Sequence, residues 1–222
     1  MGDSRSAPRT AGFAVARLDD IAEISDGRRP WRPVGHHLRI TAFGISAWSA
    51  AAAGDRVINE HDEAGDAEEL YLVHRGRATF ELAGERVDAP AGTLMFVRPG
   101  VMRTAFAEEP GTTILAVGAT PGEPYEPDGW ELFAPVALRY EAGNHDEAIA
   151  AGRAIVEANP QFPMLAYVLA VWEAQAGHTE EALGHLRAAV VSPRVRRLAA
   201  GDAHLDPLRG EPGVADLLET GS

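Results

Sequence analysis

The chain has 222 residues, no cysteine and a formal net charge of −13, which is length enough for one large domain or two small ones. So acidic a chain is a poor match for nucleic-acid phosphates or an anionic membrane surface, both of which demand clustered Lys and Arg. The lack of cysteine removes disulfides, thiolate metal sites and a cysteine nucleophile.

In chain order, residues 1–15 read as a disordered tail. Residues 1–12 carry no apolar signal-peptide core, and no apolar run reaches the roughly 18 residues that a membrane span needs. The expectation is a cytoplasmic protein with no nucleic-acid or membrane partner. From 16 to 120, short apolar runs are broken by Gly and Pro every few residues. Strands are expected at 39–48, 69–75, 77–82, 84–88, 94–97, 103–107 and 112–117, with a tight turn at Ala83-Gly84-Glu85. Many short strands at this spacing predict an antiparallel sandwich or barrel. Residues 121–129, rich in Gly and Pro, read as a linker.

Residues 130–219 have a helical texture and repeat themselves. The segment 141–160 returns as 175–194, with Gly143 on Gly177, Ala148 on Ala182 and Arg153 on Arg187. A 34-residue period is the signature of tetratricopeptide helix pairs. Gly143 and Gly177 are expected in the turns between helices, and Pro160 closes the first repeat. The stretch 206–219 reads as a capping helix with Pro207 or Pro212 near its start. The fold class is therefore β + α in two modules: a β-barrel at 16–120 and a tetratricopeptide-like helical module at 130–219.

Within the β half, Gly54, Glu60, Asp62, Glu69 and Gly76 fall on the spacing of one motif, and Gly92, Gly100, Arg103 and Ala107 on that of another. Together they resemble the two motifs of the cupin superfamily, G-x5-H-x-H-x3,4-E-x6-G and G-x5-P-x-G-x2-H-x3-N. The resemblance covers roughly residues 36–120 and implies a double-stranded β-helix whose interior holds a ligand or a metal. More narrowly, the chain resembles bacterial proteins that join a cupin to tetratricopeptide repeats. The glycines and Glu69 match. The histidine positions fall on Glu60, Asp62 and Arg103, so the family's three-histidine metal centre is not expected.

An inward Arg103 would repel a divalent cation and pair with Glu69 instead, through a charge-assisted contact. That pair is either a neutralised remnant or the receptor for an anionic ligand. Strand parity puts Tyr71 and Val73 on the face of Glu69 and His74 on the other. Trp48 and Phe43 suit a core or pocket wall. The expected ligand-binding set is Trp48, Glu60, Asp62, Glu69, Tyr71 and Arg103. No cofactor is expected. A divalent metal (Zn, Mn or Fe), if held, would use His61, Asp62, Glu63 and Glu69 of the acidic loop 60–69.

The resulting functional expectation is a small-molecule-binding or sensing barrel coupled to a helical module for a protein partner. The alternative is a cupin enzyme of isomerase, lyase or dioxygenase type. It would use either the His/carboxylate metal site or a metal-free pair, with Glu69 as general base and Arg103 as anion clamp. A homodimer is expected, because an open barrel edge must be covered and the strand at 39–48 is rich in Ile, Phe and Trp.

Overall fold

The computed structural model describes residues 13–25, 30–62 and 66–219. Most of the expected tail, residues 1–12, lies outside the described residues; Phe13 and Val15 are exposed. The chain divides into two units, Met1–Ala134 and Pro135–Ser222.

The first unit holds β1 (Trp31–Arg32), α1 (Val34–Leu38), β2 (Gly44–Ser49), β3 (Arg56–His61), β4 (Glu68–Arg75), β5 (Arg77–Leu82), β6 (Glu85–Pro90), β7 (Leu94–Val97), β8 (Arg103–Ala107) and β9 (Thr113–Ala119). One sheet has the order β1-β2-β9-β4-β7 and the other β3-β8-β5-β6. From β2 onward the chain changes sheet at every step except the β5–β6 hairpin. That alternation is the jelly-roll order of a double-stranded β-helix. The inner faces meet in one core. Tyr71, Val73, Met95, Val97 and Ile114 come from the first sheet, and Val57, Ala78, Phe80, Ala89, Ala105 and Ala107 from the second.

Local chemistry explains the turns. Ala83 and Gly84 both have positive φ (50° and 86°), the pattern of the two-residue turn whose twist suits a hairpin. Gly76 joins β4 to β5 at φ 71°, and a Cβ there would lie 2.5 Å from Thr112 Oγ1 and 2.9 Å from its Cα. Only hydrogen fits, and the left-handed backbone independently favours glycine.

The strand expected at 39–48 begins instead at Gly44. Helix α1 ends with Arg39 in the left-handed conformation, so the chain must turn before it can extend. His36 and His37 belong to α1. Phe43 is exposed rather than part of a wall. β2 is also not an edge: it is flanked by β1 and β9. Its outward Ala47 is covered by Ile21 and Val34 of the preceding segment, which Asp19 ties to Arg75 through two 2.8 Å contacts.

Helix α2 (Gly129–Glu141) contains Pro135, where the second unit begins. It is followed by α3 (His145–Ala158), α4 (Pro163–Ala176), α5 (Thr179–Ala189), α6 (Pro193–Ala200), a 3-10 turn at Ala203–Leu208 and α7 (Val214–Leu218). Gly143 and Gly177 both adopt positive φ, 85° and 80°. Each stands where one helix ends, and the residue after it donates its N–H back to the helix: Asn144 to Arg139 O (3.0 Å) and His178 to Glu173 O (2.9 Å). This is the left-handed glycine cap, used twice at the 34-residue interval. Ala148 and Ala182 are both fully buried.

Helix α4 is the centre of the second unit, packing on α3, α5, α6 and the 203–208 turn. Its buried run Leu165–Ala170 is unbroken, and Trp172, Glu173 and Ala174 are buried too, as expected of a helix covered on all sides. The 206–219 stretch is two short pieces rather than one helix. Pro207 sits inside the 3-10 turn and Gly213, at φ 80°, precedes α7. Among the described residues, no helix is long and apolar enough to cross a membrane.

Candidate ligand site

Strands β4 and β8 each turn one face inward. On β4, Tyr71 and Val73 are buried, and Glu69 shares their parity. On β8, Ala105 and Ala107 are buried, and Arg103 shares theirs. The result is a carboxylate and a guanidinium on the inner face of an apolar barrel. Arg103 Nε lies 3.2 Å from Glu69 Oε2, with the Arg103 side chain 0% exposed and that of Glu69 16% exposed.

Two more groups converge on the same oxygen. The Tyr71 hydroxyl donates to Glu69 Oε2, and its ring packs against Phe80 at 5.6 Å. His61 Nε2 approaches Oε2 at 3.4 Å, while its Nδ1 lies 2.7 Å from the carbonyl oxygen of Asn59. Both neighbours of the imidazole are acceptors, so both ring nitrogens are called on to donate. That geometry favours the charged imidazolium.

The position of His61 follows from the second of two register shifts on β3, one between Arg56 and Ile58 and one between Ile58 and His61. Ile58 of β3 faces Ala105 of β8, yet His61 faces Arg103, so three steps on β3 match two on β8. Such an extra residue reverses which side chains point inward beyond it. Without it Glu60 would stand opposite Arg103, as the motif spacing has it. Instead Glu60 and Asp62 are exposed and His61 is turned to Glu69. Glu60 and Asp62, expected in the ligand-binding set, are thus not among the side chains that meet at Glu69. β3 also occupies residues that were read as the start of an acidic loop. Trp48 is half-buried; it packs against the barrel core and stacks on Trp31 at 5.4 Å.

The electrostatics follow the contacts. Burial pushes Glu69 up, but hydrogen bonds from His61 and Tyr71, and the charges of His61 and Arg103, outweigh it. The carboxyl is held below its ordinary value. Burial pulls His61 down, but the contacts with Glu69 and Asn59 outweigh it, and the imidazole is held above its ordinary value.

The metal set does not fit this arrangement. Glu63 lies outside the described residues, Asp62 is exposed, and the Arg103 guanidinium stands 3.2 Å from Glu69 Oε2. A guanidinium has no lone pair to offer a metal. Among the described residues, no three His, Asp or Glu side chains are grouped to hold a metal ion.

Sequence reasoning also missed what lies at 121–131. The Tyr125 hydroxyl donates to Glu131 and abuts Gly44, where a Cβ would meet it at 2.6 Å. Asp128 caps the start of α2, accepting from Glu131 N–H at 2.8 Å. The only sequence signals were two glycines, Gly35 and Gly44, at places where a side chain would collide with this segment.

The profile of the AraC-like ligand binding domain matches residues 45–114. Among solved structures, the chain is similar to a cupin protein from Bacteroides fragilis, at 17% identity over 54% of this chain and 93% of that one, with a TM-score of 0.41. It is similar to an RmlC-like cupin from Desulfovibrio desulfuricans, at 18% identity over 48% and 96%, with a TM-score of 0.41. A sugar phosphate isomerase of the cupin superfamily from Silicibacter pomeroyi gives 15% identity over 49% and 77%, with a TM-score of 0.42. No curated protein matches the chain. The stretch that matches the ligand-binding profile runs from Ile45 in β2 to Ile114 in β9 and contains His61, Glu69, Tyr71 and Arg103.

Proposed function

We infer that the first unit is a small-molecule-binding barrel whose ligand is anchored by Arg103 and Glu69. In this reading the helical unit, built from tetratricopeptide-like pairs, offers a surface to a protein partner, so that the whole is a cytoplasmic sensor that works as a homodimer. One observation carries the binding reading. Arg103 is 0% exposed on an otherwise apolar inner face, and none of its three guanidinium nitrogens has a hydrogen-bond partner among the described residues. A buried charge held only by an ion pair leaves hydrogen-bonding capacity unused. The ligand-binding profile over residues 45–114 supports the same reading.

The metal-free enzyme reading is less well supported. A carboxyl held below its ordinary value is a weak base, and a general base works best near the operating pH. The contacts on Glu69 make it an anchor instead.

The test is thermal unfolding of the full chain with a panel of sugars, sugar acids, hydroxy acids, amino acids and nucleosides. A ligand of the native state raises its apparent stability, by about 2.7 kcal/mol at a hundredfold excess over Kd. At least one class is expected to stabilise the wild type and to lose that effect in Arg103→Met. A compound that stabilises both proteins equally would place the site elsewhere, and a panel with no effect would reject the reading.

A further inference from the structure

The inference that follows rests on the binding reading and concerns the chemistry of the ligand. Arg103 approaches Glu69 only from the Nε side, at 3.2 Å. Even that approach is not aligned as a hydrogen bond, and Nη1 and Nη2 have no partner among the described residues. Glu69 Oε2, the atom nearest Arg103, is already engaged by the Tyr71 hydroxyl and His61 Nε2 and lies on the Nε side of the guanidinium. The fork formed by Nη1 and Nη2 is thus a buried donor pair without a partner among the described residues. A planar oxyanion is the group whose two oxygens match that fork.

Charge balance narrows the class. Arg103 and Glu69 cancel. The two acceptors on the His61 ring favour a second positive charge, so Arg103, Glu69 and His61 together carry at most one net positive unit, which a monoanion would neutralise. A dianion would overshoot it beside Glu69. The carboxylate of Asp128, also within the field of Glu69, accepts from the start of α2 and adds negative potential nearby, which weighs further against a dianion. Most of the remaining inner face is apolar: the second sheet adds Ala78, Ala89, Ala105 and Ala107 beside the larger Val57 and Phe80. Such walls suit an apolar or weakly polar body behind a single charged head.

We propose that the barrel binds a small organic monocarboxylate, its carboxylate bridging Nη1 and Nη2 of Arg103 while Glu69, itself held by Tyr71 and His61, positions the guanidinium. Glu69 also acts against ligands with a second acid group near the fork, since two carboxylates would then share one site.

The experiment uses the full chain with arginine side chains labelled with nitrogen-15, the Arg103 signals being assigned by their loss in Arg103→Lys. Acetate, glycolate, phenylacetate, inorganic phosphate and the neutral control acetamide are titrated at matched ionic strength. The monocarboxylates are expected to move the Arg103 Nε and Nη signals and to raise the melting temperature, with acetamide inert and phosphate weaker. Their affinity is expected to fall about ten- to hundredfold in Arg103→Met, as loss of a charge-assisted contact implies. The wild-type titration stands even if that variant folds poorly. The proposal is overturned if no monocarboxylate moves these signals, or if acetamide or phosphate does so as strongly. A neutral sugar or nucleoside that stabilises the wild type while every acid is inert would keep the binding reading and reject this one.

Discussion

At the scale of single residues, Glu69 is the acceptor on which the site depends. Removing one partner of a buried ion pair leaves the other uncompensated, which costs about 3–5 kcal/mol, whereas replacing both by apolar groups is often nearly neutral. Glu69→Gln is therefore expected to destabilise the barrel by about 3 kcal/mol, and Glu69→Leu combined with Arg103→Met by much less. The contribution is also pH-dependent. Glu69 is held below its ordinary 4.5, so its stabilisation is present above that value and is lost as pH falls through the folded one. His61 is held above its ordinary 6.5, so its share is complete below 6.5 and is lost as pH rises through the folded value. The difference in urea stability between wild type and Glu69→Gln should form a plateau covering pH 4.5 to 6.5 and decline on both sides. A flat profile would mean that the His61–Glu69 contact does not form in solution. Spacing alone pointed to Glu69, Tyr71 and Arg103. It named His61 only among the acidic-loop metal candidates, because the register shifts in β3 that turn it to Glu69 leave no mark in composition or period.

At the scale of elements, the 34-residue repeat makes the sharper claim. Ala148 and Ala182 are fully buried at matched positions, and Leu at either should overpack its helix contact at about 1–3 kcal/mol. Ala151 is half-buried, whereas Ala150 is exposed and is the proper control. Ala150→Leu should change stability by about 0.5 kcal/mol or less. Melting curves that rank the three variants alike would remove the equivalence of the repeats. Strands from 68 to 119 were legible because alternation and glycine turns are local signals. β1, two residues long, was not, since its partner is set by tertiary packing rather than by its own pattern. The start of β2 was misread for a related reason: 40–43 is apolar enough for a strand, but a left-handed Arg39 turns the chain there.

At the scale of the whole molecule, the question is what covers the outer face of the five-stranded sheet. The segment around Ile21 and Val34 shields β2 and β9. Farther across, Leu70 of β4 pairs with Phe96 of β7, and Leu72 with Leu94, leaving Leu94 61% and Phe96 54% exposed. β7 is also the sheet's edge strand. We propose that the homodimer inferred above uses β4 and β7 rather than the strand at 39–48 that the sequence favoured. Light scattering is expected to give twice the chain mass for the wild type and a single chain mass for Leu94→Lys with Phe96→Lys. A wild-type monomer at micromolar concentration would refute the dimer.

The helical unit meets a different limit. Open repeat arrays can grow, because each added pair finds an uncovered face to stack on. Here α4 is already enclosed by α3, α5, α6 and the 203–208 turn. A third copy of the repeat inserted after α5 would have to displace α6 and that turn before it could stack. Diversification of this unit is therefore confined to exchanging residues on its outer surface, because its length is fixed from within.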